Sequence, residues 1–418
     1  MFRAYPRHSV DISLKEYLKI FSLIFSPRML RGEYVGEFER QFAEYSGTDF
    51  AVSLPSARLG LYLLLKYFNF PPGSEVIITP FTHQSIFTVI HSFPLKPVFV
   101  DIEETTFNTA PESVEKLITP NTKLIILTHM WGQPCRMDGF MKMREKHGLK
   151  IIEDCAMACG AEYEGKKTGS FFDAGIFSFG KAKAICSFGG GMLTCSEKNI
   201  FDFVSQNTAG FTYPSRAGLS LGIINSLIAN ILTRPQMFFF TLYPVLRFFN
   251  IRDPYNPLEH KKDSLDILEN IPEEWKVKMA NIQAAVGIEQ LNDLDKHNDK
   301  RIFNAEILNR ALAGLPGVKI PQSIDKAKHI FLYYALFLEG CSDLNGMREE
   351  LIKCGVDSQL NELTNSEQLE IFGFNSADYP VFKKVSDRLI IIPNGIYLKE
   401  SDVRYVADKC RRIFKAKN

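Results

Sequence analysis

The chain has 418 residues, 45% hydrophobic and 23% charged, with a formal net charge of +1. That length buries a large core and divides into at least two domains, while the near-zero charge, with no basic cluster, excludes nucleic acid as the main partner because phosphate binding needs a basic field. The eight cysteines, at 135, 155, 159, 186, 195, 341, 354 and 410, form no CxxC pair and no zinc-like spacing with His, which points to buried thiols in a reducing cytoplasm.

The N-terminal stretch MFRAYPRHSVDISLKEYLKIFSLIF mixes charge with apolar residues and has no small-residue cleavage site, so no signal peptide is expected. From residue 11 to 26, Leu14, Tyr17, Leu18, Phe21 and Ile24 repeat at helical spacing until Pro27, predicting a helix that docks this face. A helix to Tyr45, a strand at Phe50 to Leu54 and a helix opening near Ser56 follow. Strand, turn and helix start in that order make an anion site, since free N–H groups and the helix dipole point at whatever lies above Ser56, Ala57 and Arg58. Pro71 to Ile90 reads as turn, strand, loop and helix, with Phe81 and His83 in the loop. Pro94 to Pro134 adds two strands, VFVDI and KLIILTH, around a helix, with His129 and Gln133 at the end of the second. This alternation predicts a mainly parallel sheet with helices on both faces, whose active-site loops gather at the strand ends.

The stretch from Ile151 to Cys195, IIEDCAMACGAEYEGKKTGSFFDAGIFSFGKAKAICSFGGGMLTC, reads as strand, crossover, strand. Glu153 and Asp154 end the first strand, and Lys181 and Lys183 follow the second. A carboxylate ending one buried strand and a lysine just beyond the next is what pyridoxal 5′-phosphate chemistry asks for. The amine binds the cofactor aldehyde, and the carboxylate keeps the pyridine nitrogen protonated so that the ring accepts electrons. Surface lysines and strand-end acids are common, so spacing alone leaves both lysines open. Gly189 to Met192, GGGM, lacks the GxGxxG order and follows a loop, which argues against a dinucleotide site. No metal constellation, Ser/His/Asp pattern or Walker loop competes.

Ala217 to Thr233 carries no charge, and RPQMFFFTLYPVLRFFN then runs to Asn250. Leu221, Ile224, Leu227, Ile228, Ile231 and Leu232 form an apolar face, and Asn225, Ala229 and Asn230 a mildly polar one. The run falls short of a lone spanning helix and breaks at Arg234 and Pro235. Three readings stay open: packing internally or against a second subunit, docking on a membrane surface, or a re-entrant hairpin. After the charged loop RDPYNPLEHKKD, one long helix is expected from near Pro272 to Gly314–Gly317. A strand HIFLYYALFLEG, a helix MREELIKCG, a strand RLIIIPNG and a final helix after Glu400 make a small α+β domain. The expected division is a large α/β domain at 1–270, with 217–250 as an apolar insertion, and the linking helix plus small domain at 271–418.

The segment EDCAMACGAEYEGKKTGSFFDAGIFSFGKAK followed by GGGMLT closely resembles the nucleotide-sugar aminotransferases of the DegT/DnrJ/StrS family, fold-type I pyridoxal phosphate enzymes. The likeness runs from about Val35 to the C-terminus and includes IQAAVGIEQL. It implies Asp154 as the pyridine partner, Ser178 as a phosphate ligand and Lys183, rather than Lys181, as the Schiff-base lysine. Ser56, Ala57 and Arg58 stand where the family has SGT or SGR around the phosphate. Ala57 replaces a more permissive glycine, with Arg58 as an added donor. His83, in preference to Phe81, takes the place of the aromatic that stacks on the ring. Met157 replaces the usual Gln or His and cannot hydrogen-bond strongly. Lys276 stands where the family has an asparagine that reaches the neighbouring subunit's phosphate, implying a homodimer with shared active sites. The family's usual substrate Tyr and His are missing from SQLNELTNSEQLEIFGF.

The implied activity is a cytoplasmic aminotransferase carrying an amino group from an amino acid such as glutamate to a keto sugar, usually nucleotide-linked, in glycan or secondary-metabolite biosynthesis. The alternatives are a dehydratase-like relative, against which Lys183 speaks because those known carry His there, and a non-catalytic fold-mate acting as a membrane-associated binding protein.

Overall fold

A computed structural model describes residues 3–9, 11–249, 267–361, 363 and 366–417. The charged loop expected at 252–263 lies outside the described residues. The large domain is built on a seven-stranded sheet whose spatial order is Phe50–Leu54, Gly191–Cys195, Ala174–Ser178, Lys150–Asp154, Thr122–Thr128, Glu75–Ile78 and Lys96–Phe99. Gly191–Cys195 pairs antiparallel with both its neighbours, and the remaining pairings are parallel. These strands read as near-continuous apolar runs because helices cover both faces. Helix Ala57–Phe68 buries every residue from Leu59 to Leu65 between sheet and neighbouring helices.

Parallel strands put their C-terminal ends on one edge. Thr128, Asp154 and Ser178 are each the last residue of their strand there, and Pro55 and Ser56 follow directly on Leu54. The small domain is a four-stranded antiparallel sheet, Val318–Lys319, Tyr334–Leu338, Leu389–Ile392 and Gln359–Leu360, packed by helices Leu344–Lys353 and Glu400–Lys417. Residues 3–9 strap along this domain. Tyr5 bridges Val356, its hydroxyl donates to Asp402 at 2.8 Å, and Arg7 pairs with Asp357 at 3.5 Å.

Three expectations need correction. The single long helix is two, Asn281–Asn292 and Leu294–Leu312, divided at Asp293 (φ −100°, ψ 1°). The first packs with the large domain and the second with the final helix of the small one, so the chain must turn between them. The strand at HIFLYYALFLEG shrinks to Tyr334–Leu338, because Phe331 turns into the left-handed region (φ 46°). Finally, helix Leu14–Ile24 is rotated from the face its periodicity selects: of that face only Tyr17 and Ile24 pack against the protein. Glu16, Ile20 and Leu23 point inward, whereas Leu14, Leu18 and Phe21 are 74, 62 and 63% exposed. Lys15 and Lys19 reach Asp293 and Glu289 at 3.7 and 3.4 Å, and the Glu16 carboxylate accepts the Ser13 N–H in a capping box. These polar contacts set the rotation of the helix, which an apolar stripe alone does not fix.

The apolar insertion forms helix Arg216–Leu232, followed by Pro235–Phe238 and Leu242–Phe249. Ser215 caps the first of these, accepting the Gly218 N–H at 3.1 Å. Among the described residues no helix is long and apolar enough to cross a membrane.

Candidate active site

Two adjoining cavities open at the C-terminal edge of the sheet. The inner one, about 430 Å³, is lined by residues from five strand ends or the loops after them, among them Ser56, Arg58, His83, Asp154, Ser178 and Lys183. Ala57 and Met157 also line it. Lys183 is the one lysine on the wall of the inner cavity, whereas Lys181 is exposed and lines only the outer one. Phe81 is fully buried, edge-on to Trp131 at 5.4 Å, and His83 takes the place on the cavity wall. Lys276 stands apart from the inner cavity, paired with Glu273 at 2.6 Å. Gln133 is buried behind the site and donates to the Pro134 carbonyl.

The phosphate-like end is set by backbone. Ser56, the N-cap, accepts the Leu59 N–H at 3.3 Å, and helix Ala57–Phe68 begins at the cavity wall. Gly191, on the neighbouring strand, lets the start of this helix pack close to the sheet. A Cβ there would lie 2.5 Å from the Phe177 oxygen and 2.7 Å from the Ala57 nitrogen. Arg58 stacks its guanidinium over Trp275 at 5.0 Å, which holds it at the rim.

Asp154 is buried. Burial pushes its carboxyl up, while the Ala156 N–H at 3.0 Å, Lys183 and His129 stabilise the charged form. Lys183 is pulled below the ordinary lysine range by burial, against the opposing attraction of Asp154. The two groups therefore titrate against each other across the cavity.

Behind Asp154 lies a network that sequence reasoning left unseen. Cys135 donates its N–H to His129 Nδ1 at 3.2 Å, which leaves the ring proton on Nε2, 3.2 Å from Glu153 Oε2. Glu153 also accepts the N–H groups of Gly169, Phe171 and Phe172, at 2.7, 2.8 and 3.3 Å. Donor atoms of His129, Glu153 and Cys155 lie within 4.8 Å of one another. The carboxylate is already saturated, and burial raises the Cys155 thiol far above its usual range, so the trio positions Asp154's strand rather than offering a thiolate metal site. All eight cysteines are free.

The outer cavity, about 610 Å³, joins the inner one through His83, Met157, Gly180, Lys183 and Gly189. Its wall includes Arg7, His8, Trp131 and Tyr333. Tyr333 donates to the Ala182 carbonyl at 2.8 Å, and His8 packs edge-on against Tyr333 and meets Gln359 at 3.0 Å. Trp131 adopts φ 50°, a left-handed backbone that bulky residues take where a site demands it. The strap residues carry no periodicity, so only the fold could place them here.

A model of the DegT/DnrJ/EryC1/StrS aminotransferase family matches residues 15–207 and 266–411. The chain belongs to that family. GDP-perosamine synthase of Caulobacter vibrioides is 30% identical over 91% of this chain and 83% of its own length. Spore coat polysaccharide biosynthesis protein SpsC of Bacillus subtilis is 27% identical over 97% and 95%. Among solved structures, DesV of S. venezuelae covers 99% of both chains with a TM-score of 0.75 at 24% identity. The PLP form of the sugar aminotransferase Spr1654 from Streptococcus pneumoniae reaches 0.76 at 21%, over 99% of this chain and 100% of its own, so both share the fold.

As a DegT/DnrJ/EryC1/StrS member the protein is a pyridoxal phosphate-dependent aminotransferase with the fold-type I architecture. The inner cavity fits that cofactor. It has small-molecule dimensions, a helix start with serine hydroxyls and Arg58 at one end, a buried carboxylate at another and a single lysine on its wall.

Proposed function

We propose that this aminotransferase moves an amino group from an amino acid, glutamate, to the keto group of a nucleotide-linked sugar in glycan or secondary-metabolite biosynthesis. The observation that carries the reading is that Asp154 and Lys183 line the same cavity, which opens into a larger one. The named relatives act in sugar and polysaccharide synthesis. When bound, pyridoxal phosphate supplies an electron sink that stabilises the carbanion left when a proton leaves Cα.

The chain's own residues do the rest. Asp154 holds positive charge at the ring nitrogen, and the His129–Glu153 network behind it keeps its strand end rigid. Ser56, Arg58 and Ser178, with the free N–H groups at the start of helix Ala57–Phe68, bind the phosphate. His83 and Met157 line the same cavity and would flank the cofactor, Met157 without demanding a hydrogen bond. The Lys183 amine, whose neutral form burial favours, would hold the cofactor and, released from it, would carry the proton that leaves the donor Cα. The outer cavity takes the nucleotide sugar, with Arg7 and His8 near its diphosphate and Trp131 and Tyr333 against its apolar surfaces. In a cytoplasmic homodimer Lys276 would leave Glu273 to serve a second subunit's phosphate.

The test is a spectrum followed by a product assay. Purified protein should show the absorbance of lysine-bound cofactor, shifting when glutamate is added, and a panel of nucleotide-keto-sugars should yield one aminated product. Lys183→Ala should lower turnover by about 10⁴-fold. A colourless protein, or a spectrum and turnover unchanged by Lys183→Ala, would refute the reading.

A further inference from the structure

Among the described residues fourteen large apolar side chains are exposed, and eleven of them belong to helix Leu14–Ile24 with the Phe25 that follows, or to the insert 216–249. Both helices carry large apolar residues on the outward face as well as the inward one. On the first, Leu14, Leu18 and Phe21 face away from the protein while Glu16 is 1% exposed. On helix Arg216–Leu232, Leu221, Ile224 and Ile228 face away, while Ser226 and Asn230 are 1 and 3% exposed. A surface helix of a water-facing protein keeps its outward face polar.

The two helices lie side by side and antiparallel. Arg216 donates to the Ser26 carbonyl at 3.0 Å, and the Tyr17 hydroxyl donates to Asn230 at 2.8 Å. Ile20 and Leu23 of one and Leu219 and Ile223 of the other rest in the same buried cluster, so their outward faces point the same way. The result is one continuous apolar platform, far more concentrated than the scattered surface apolar residues of ordinary proteins. Its charge has one sign. Between Asp202 and Phe249 the charged residues are Arg216, Arg234 and Arg247, with no acid. Each bonds to a neutral oxygen, of Ser26, Asn230 and Tyr243 respectively.

We infer that this platform docks on an anionic lipid surface, lying in the headgroup plane with its leucines, isoleucines and phenylalanines in the acyl boundary and Arg216 and Arg247 among the phosphates, while Arg234 turns instead to a pocket it shares with Asp11 and Glu16. No described helix crosses a bilayer, which leaves docking rather than spanning. A second copy is the poorer occupant. A twofold contact sets a patch against itself, and here arginine would meet arginine with no carboxylate on the insert to pair with either. The insert also occupies the gap, 208–265, between the two family-matched stretches, so its half of the surface is an addition to the catalytic body, while helix Leu14–Ile24 lies within the first matched stretch. The same helix walls the outer cavity through Ala229 and Thr233, and Thr233 meets Ser9 of the strap at 3.1 Å. Docking therefore brings that cavity within about one helix diameter, ~10 Å, of the headgroups.

The test sediments the full-length, cofactor-loaded protein with vesicles of phosphatidylcholine alone or mixed with phosphatidylglycerol. The protein should pellet with the anionic vesicles, less so as salt screens the arginines. The double variant Ile224→Asp, Ile228→Asp should lower partitioning about tenfold or more, and Arg247→Gln about fivefold. Unchanged cofactor absorbance and melting temperature show that the variants are folded, and neither depends on the substrate assigned above. Absence from the anionic pellet, or pelleting unaltered by the double variant, would overturn the inference. So would a shift of that variant from dimer to monomer on size exclusion, which would assign the face to a second copy.

Discussion

The cavity edge and the insert platform bury polar groups to opposite ends. At the cavity edge Glu153, His129 and Asp154 sit in the interior because each is needed there, and backbone N–H groups at 2.7–3.3 Å complete Glu153's shell. On the platform Glu16, Ser226 and Asn230 go inward beside Ile20 and Ile223, while Leu14, Leu18, Leu221, Ile224 and Ile228 turn out. The first arrangement spends buried polarity on holding one carboxylate in place beside one lysine. The second gives up the usual sorting of residues to leave an apolar face uncovered. Polarity alone, read along the chain, therefore does not tell inside from outside in this protein; the partners of each polar group do.

The most severe way to break that contrast is at Glu153. Removing its carboxylate with Glu153→Ala strips four donors of their acceptor at once and should cost about 3–5 kcal/mol of stability, the range for breaking a buried charged network from one side. Glu153→Gln, which keeps one acceptor oxygen, should cost less. Denaturant melts of both variants measure the difference, and equal, small losses would mean that the network carries no weight. A smaller effect is expected on the platform, with the polar and apolar positions reversed in importance. Asn230→Ala leaves the Tyr17 hydroxyl without its acceptor and should cost about 1–3 kcal/mol. Ile228→Gln, on the outward face of the same helix, should stay within about 0.5 kcal/mol of the parent. The opposite ranking in the same melts would show that the helix is turned the other way.

The parallel sheet and the cavity residues were legible because both are local. Apolar runs of four to seven residues bounded by turns gave the strands, and the acid and lysine at consecutive strand ends fell on one edge once the sheet was parallel. What stayed hidden depends on contacts far apart in sequence. His129 and Glu153 are 24 residues apart and meet only because their strands are neighbours. The strap residues Arg7 and His8 reach the outer cavity only because Tyr5 is pinned to Val356. The rotation of helix Leu14–Ile24 was misread for the same reason: its apolar stripe was visible, but the ion pairs to Glu289 and Asp293 that turn it away are made to another helix.

A last, smaller effect tests the cavity edge through pH. His329 is buried, stacked on Phe331 at 3.7 Å, and accepts the Phe331 N–H on Nδ1 at 3.1 Å. Burial lowers its pKa from 6.5 to about 3, opposed by a hydrogen bond that the ring donates to the Gly132 backbone. The unfolded chain thus binds the proton more readily, and stability rises with pH wherever that holds. The contribution is fully present above about 6.5 and is lost as pH falls toward about 3. His329→Asn, whose side-chain oxygen can still accept the Phe331 N–H, should cost about 1 kcal/mol at pH 7 through lost stacking, and should flatten the fall in melting temperature between pH 6.5 and the acid limit. A variant whose curve stays parallel to the parent's through that window would show that His329 takes its proton in the folded state as easily as in the unfolded one. In that case Gly132, next to Trp131 on the outer cavity wall, would be held by something other than a neutral ring.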